Sequence, residues 1–121
     1  MPPRPPTADD WSRRWRALAR ARAIGAEEKL LLALSGGADS VLLLHWLAAA
    51  RPRPAVLAVH VDHGLRGAES AADARFCGEL CRTLAVPLVV RRIELERDGP
   101  DLEARAREAR YAVLADEARA A

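Results

Sequence analysis

The chain has 121 residues, 50% of them hydrophobic, and a formal net charge of +2. That length suits one domain with its own core, and the near balance of charge excludes a strongly basic nucleic-acid binder. Apolar runs end after a few residues at a charge or a turn, and no apolar segment follows Met1, so neither a membrane span nor a secretion signal is read and a cytoplasmic protein is expected.

Residues 1–7 carry four prolines and one arginine and read as a disordered tail, leaving 8–121 as the domain. Asp9 and Asp10 are placed to cap a helix that runs to about Ala23 and ends at Gly25. Trp11, Trp15 and Leu18 recur at helical spacing, with Arg13, Arg14 and Arg20 mainly off that stripe. Such a helix either contacts RNA through aromatic anchors or packs its tryptophans on the domain, and packing is preferred.

Lys29 to Leu34 is too short for a buried helix and reads as a buried strand. Ser40 to Ala50 is a crossover helix, broken by Arg51-Pro52-Arg53-Pro54. Ala55 to Val61 is a second strand, Asp62 to Gly67 a loop, and Glu69 to Leu84 a second crossover helix with Phe76, Leu80 and Leu84 inward. Pro87 to Leu95 is a third strand; a helix from Leu102 to the end follows the turn at Asp98-Gly99-Pro100. Cys77 and Cys81 lie four apart on one helix face, a buried reduced pair rather than half a zinc site.

Strands alternating with helices imply a Rossmann-like parallel α/β sheet with flanking helices. Ligands on such sheets bind beyond the carboxyl ends of the strands. Two distinctive loops, Ser35 to Ser40 and Asp62 to Gly67, lie at such ends and should face each other across one cleft. In the first, Gly36 and Gly37 let the backbone turn tightly against a ligand, and the helix start at Asp39 and Ser40 offers free N–H groups and a positive dipole end. Ser35 and Ser40 add hydroxyls. This is anion-binding chemistry; the plain alternative is a strand–turn–helix corner with a Ser or Asp cap. The Gly-Lys-Ser/Thr ending of a Walker A loop is absent, as is a Gly-x-Gly-x-x-Gly fingerprint. His60, Asp62 and His63 read as a wall of a nucleotide site, as a metal cluster, or as a loop histidine paired with Asp62.

Ser35-Gly36-Gly37-Ala38-Asp39-Ser40 resembles the PP-loop of the N-type ATP pyrophosphatases. His60-Val61-Asp62-His63-Gly64-Leu65-Arg66 and Leu102-Glu103-Ala104-Arg105-Ala106-Arg107-Glu108-Ala109-Arg110-Tyr111 narrow the likeness to the tRNA(Ile)-lysidine synthases. The resemblance implies an adenine nucleotide alpha hydrolase-like fold and an ATP-dependent carbon–nitrogen ligase. Such an enzyme adenylates C2 of the wobble cytidine in a tRNA(Ile) with a CAU anticodon. L-lysine then displaces AMP to form lysidine, pyrophosphate having left earlier.

Carried onto this chain, the family pattern gives Asp39, His63 and Arg107 as catalytic. It gives Ser35, Gly36, Gly37, Ala38, Asp39, Ser40, His60, Val61 and Arg110 to the nucleotide, and Asp39 to Mg2+. Arg66 would reach phosphate or RNA, or stay solvated; Arg105 points away from the Arg107/Arg110 face. Two other functions stay open. One is another PP-loop enzyme, a tRNA thiolase or an amidotransferase synthetase domain; the other is a nucleotide-binding module without catalysis. Thiolases carry paired cysteines at the cleft, whereas Cys77 and Cys81 are expected away from it.

The resemblance covers the front of the family's catalytic domain, truncated after three strand–helix units, so the chain is expected to be an amino-terminal piece, inactive alone. In the family's sheet order, 3-2-1-4-5, the first strand is central. Here it becomes an edge, through which the chain would dimerise.

Overall fold

The computed structural model describes residues 4–5, 7–25, 27–64, 67–96 and 98–121. Helix α1 spans Ala8–Ala21. Its N-cap is Thr7 rather than Asp9 or Asp10: Thr7 Oγ1 accepts from the Asp10 amide at 3.2 Å, and Asp10 accepts in return from the Thr7 amide at 2.9 Å. Arg4 and Arg13 both reach the Asp10 carboxylate. The bond from Arg4 and those from Thr7 hold its pKa well below the usual range. Gly25 is not the cap at the other end. The chain leaves the helix one turn earlier, with Ala23 left-handed at φ 53° and the Ile24 amide bonded back to Ala19 O at 2.8 Å.

The tryptophans pack. Trp15 is buried, and Trp46 donates from Nε1 to Trp11 O at 2.9 Å. The Trp11 and Trp46 rings lie 6.0 Å apart, with the Arg14 guanidinium over Trp11. Ser12, buried at the same joint, accepts from the Arg51 amide at 2.6 Å. These contacts fasten α1 to the second helix, α2, Ala38–Ala49.

Three strands, β1 (Lys29–Ala33), β2 (Ala55–Asp62) and β3 (Leu88–Arg92), form one parallel sheet in the order β1-β2-β3. Helix α3 spans Ala68–Leu84 and α4 Leu102–Ala120. Strand–helix alternation thus gives the expected open α/β sheet, with β1 at one edge among the described residues. β3 is shorter than its apolar run because β2 ends at Asp62, whose ladder partner is Arg92; one more bond, from the Ile93 amide to Asp62 O at 2.9 Å, closes the edge. No described helix is long and apolar enough to cross a membrane.

Strand residues alternate in direction. Leu32 and Ala58 join Leu44 of α2 and Cys77, Cys81 and Val86 in the main core, so α2 and α3 cover that face. Val59 points the other way and, with Leu114 of α4, lines a cavity there. Of the three residues expected inward on α3, Leu80 and Leu84 do pack on this core and Phe76 does not. Phe76 is 46% exposed; Ser70, Cys77 and Cys81 are buried, with Leu80 and Leu84 packed beside them. The small cysteines let α3 lie close to β2 and to the turn after β1.

Candidate functional site

The ladder between β1 and β2 continues one residue past β1, with the Leu34 amide bonded to Val59 O at 2.8 Å. The chain then turns through Ser35 and Gly36, the latter at φ +92°, where a side chain would be strained. Gly37 is the N-cap of α2 and makes no side-chain cap bond, so the corner is not capped by Ser40 or Asp39 as the plain alternative requires. The hydroxyls brace the turn instead. Ser40 Oγ accepts from the Ser35 amide at 3.2 Å and donates to Gly37 O at 3.1 Å; Ser35 Oγ accepts from the Gly37 amide at 3.2 Å.

The Val41 amide is the one that bonds back to Gly37 O, at 3.1 Å. The amides of Ala38, Asp39 and Ser40 precede it and point out of the helix end. Asp39 sits exposed in this first turn.

β2 brings the second loop alongside. Asp62 accepts from the Gly64 amide at 2.9 Å, and Gly64 adopts φ +66°. Arg66 lies outside the described residues. At the carboxyl end of the sheet a cavity of about 350 Å³ gathers Ser35 from the first loop, His60, Val61 and Asp62 from the end of β2, and His63 from the second loop. Arg107, Arg110 and Tyr111 of α4 close its far side. The two distinctive loops therefore meet in one cleft, and the predicted arginine pair faces it. Gly36 to Ser40 are not among the lining residues, so the turn borders the cavity through Ser35. A second hollow, about 580 Å³, lies along the start of α4 and includes Glu103. His63, Arg107 and Arg110 line both spaces and so stand between them.

The Arg107 guanidinium lies 5.4 Å from the Tyr111 ring centroid, with Nη2 3.3 Å from its hydroxyl. Arg105 is turned away, as expected, bonding Glu96 O at 3.0 Å and Pro100 O at 3.2 Å to hold the preceding turn.

The sequence reading missed three residues, all on α3. Ser70 and Asp73 line the cavity. Cys77, fully buried, lies 3.6 Å from His60 Nδ1 and 3.8 Å from Leu34 O. The signal was present: Ser70, Asp73, Cys77 and Cys81 recur at three- and four-residue intervals, one helical stripe whose polar end faces the cleft. The cysteines are consequently not both remote from the site, since Cys77 underlies the loop itself. Both thiols are free. Burial, with Cys81 and Asp73 nearby, pushes Cys77 up to about 11, and burial raises Cys81 as well. A neutral, enclosed thiol does not attack as a nucleophile.

The metal-cluster reading of His60, Asp62 and His63 fails: His60 Nδ1 bonds Leu34 O at 2.7 Å, and among the described residues no group of three potential ligands exists. A lone carboxylate such as Asp39, completed by phosphate oxygens and water, does suit Mg2+, which is seldom held by an all-protein cage.

A three-stranded parallel sheet whose first turn offers its amides beside such a cleft defines a nucleotide-loop α/β domain, and the comparisons agree. A PP-loop domain model matches residues 10–121, and the chain belongs to that family. Among its relatives are proteins named tRNA(Ile)-lysidine synthase. That of Escherichia coli O157:H7 is 42% identical over 97 residues, covering 78% of this chain and 22% of the relative. That of Azoarcus sp. (strain BH72) is 45% identical over 98 residues, with the same two shares. That of Xanthomonas axonopodis pv. citri (strain 306) is 50% identical over 90 residues, 71% of this chain and 20% of the relative. The chain thus spans about a fifth of the length of these curated relatives.

Proposed function

We propose that the chain is the ATP-binding part of a lysidine-forming tRNA ligase working in the cytoplasm. The observation that carries this is the shared cleft, where Ser35, His60 to His63 and the Arg107/Arg110 pair converge. In this reading the amides of Ala38, Asp39 and Ser40, with that of Gly36, hold the polyphosphate, while Gly37 and the two serine hydroxyls shape the turn; backbone groups of His60 and Val61 meet the adenine edge. Pyrophosphate leaves with several charges, and fixed donors aimed at them lower that barrier without reorganising. Arg107 and Arg110 bring two permanent cations to the same place. His63, between the two hollows, faces the reacting phosphate. Asp39 would hold Mg2+, which neutralises phosphate charge when bound. The tRNA(Ile) with its CAU anticodon and L-lysine are the proposed co-substrates.

The alternative of a nucleotide-binding module without catalysis has one observation in its favour, the small share of the relatives that the chain spans. Titration with Mg2+-ATP, followed by a pyrophosphate-release assay, separates these readings. We expect binding without turnover from this chain alone; no binding overturns the nucleotide reading. Pyrophosphate release that needs tRNA(Ile), followed by AMP release that needs lysine, assigns lysidine synthesis outright. Release that needs tRNA and a sulfur donor assigns a thiolase, which the enclosed, neutral Cys77 disfavours.

The edge of β1 carries Leu30 and Leu31 and pairs with β2 alone among the described residues. A parallel or antiparallel partner strand fits there, and a second copy is the partner present in a pure solution. Light scattering at increasing concentration should show a dimer or larger species; a monomer throughout removes the pairing.

A further inference from the structure

We propose that His60 and Cys77 are positioning residues that set the phosphate loop from behind, by holding the plane of the Leu34–Ser35 peptide; this rests on the nucleotide reading above. Leu34 is buried to 1% exposure, and its carbonyl oxygen meets His60 Nδ1 at 2.7 Å. A carbonyl has no hydrogen to give, so Nδ1 carries it, and the imidazole is locked in one tautomer. With Nδ1 already protonated, the Cys77 thiol has Leu34 O as its acceptor, a long S–H···O contact of 3.8 Å. Both lone pairs of one carbonyl are then engaged from β2 and from α3.

The consequence runs outward through the loop. A trans peptide is planar, with its C=O and N–H opposed. Drawing Leu34 O into the core therefore aims the Ser35 amide out, to Ser40 Oγ at 3.2 Å. Ser40 Oγ in turn bonds Gly37 O, and Ser35 Oγ takes the Gly37 amide. One buried clamp thus fixes the orientation of the peptides that border the cleft. Cys77 lies beneath the same turn: its sulfur is 3.7 Å from where a side chain on Gly36 would begin. Burial keeps the thiol protonated, up to about 11, so no charge opens beneath the loop.

The test uses paired substitutions in the whole chain, read by calorimetric titration with Mg2+-ATP and with adenosine. His60→Asn keeps a donor where Nδ1 stands and should retain most of the ATP affinity that the other two His60 variants lose. His60→Leu and His60→Gln remove that donor, leaving a buried carbonyl unsatisfied, and should bind ATP about tenfold more weakly than His60→Asn, with a smaller difference for adenosine. Cys77→Val, close in size but without a donor, should weaken ATP by a smaller factor and shift the Gly36 and Gly37 amide resonances at unchanged melting temperature. If His60→Gln binds normally and His60→Asn does not, the ring contacts the ligand directly through Nε2 and the clamp is wrong. Equal ATP affinity in all four variants also overturns it. A parent chain that binds no ATP defeats the nucleotide reading instead; the Gly36 and Gly37 resonances without ligand still report the clamp, and their failure to move in Cys77→Val overturns it.

Discussion

Gly36→Ala is expected to lower ATP affinity by tenfold or more while the chain stays folded. Gly36 sits at φ +92°, and a residue with a Cβ pays roughly 1–2 kcal/mol for left-handed backbone. Space is not the obstacle. A methyl group there would lie 3.7 Å from Cys77 Sγ and 4.0 Å from Phe76 Cδ2, ordinary contact distances. The strain is in the backbone alone, and the chain relieves it by rotating the turn toward negative φ. That rotation moves the Gly37 amide off Ser35 Oγ and re-aims the donors that border the cleft. Because about 1.4 kcal/mol is one factor of ten in affinity, the strain alone accounts for the expected loss.

Gly37→Ala is the control. Gly37 has φ −75°, which any residue adopts, and its methyl would meet Ser35 Oγ at 3.4 Å. The Gly37→Ala variant should bind ATP several-fold better than the Gly36→Ala variant in calorimetric titration, with circular dichroism melts showing both folded. Equal losses would move the cause from backbone strain to crowding near Ser35.

The contrast between these two glycines also marks what could be read from the chain letters. The motif Ser35-Gly36-Gly37 announces a tight turn before a helix, and alternation of apolar strands with helices announces the sheet that places it. Strands ending at Leu34 and Val61 follow from the pattern to within one residue of the observed ends, Ala33 and Asp62, and spacing puts Arg107 and Arg110 on one face of α4. Local patterns carry that information because a strand or a helix is defined by its neighbours in sequence. Which glycine takes the positive φ does not follow, since either could; the structure gives it to Gly36 and leaves Gly37 at φ −75° as the N-cap of α2.

The same limit explains the errors. Thr7 reads as part of a tail because prolines precede it, yet the reciprocal Thr7–Asp10 bonds make it the cap of α1. Phe76 reads as inward on hydrophobicity, whereas Cys77 beside it takes the fully buried place under the turn and leaves the ring 46% exposed at its margin. Ser70 and Asp73 draw no attention because a polar residue at the start of a helix is ordinarily solvated. Only the arrangement of α3 against β2 turns them to the cavity.

Asp39→Ala is expected to abolish the dependence of ATP binding on Mg2+. Asp39 is exposed in the first turn of α2, where an acid gains about 0.3–1 kcal/mol from the helix dipole. Its removal should therefore cost the fold little. Beside a polyphosphate, however, the same carboxylate repels, unless a divalent cation lies between them. Two opposite changes follow from one substitution. In Mg2+ the variant loses a ligand to the cation and binds ATP more weakly than the parent. In EDTA it loses a repulsive charge and binds ATP as well as the parent or better.

A purely structural acid predicts neither crossing nor any response to chelator. Titrations of ATP into both chains, with Mg2+ and with EDTA, decide the matter. Parallel behaviour of the two chains under both conditions would take Asp39 out of the site. A loss of affinity in both conditions would instead assign it to holding the helix start in place. Crossing curves would tie the cation to this carboxylate without any need for turnover, and so test the site in a chain that spans only about a fifth of its relatives.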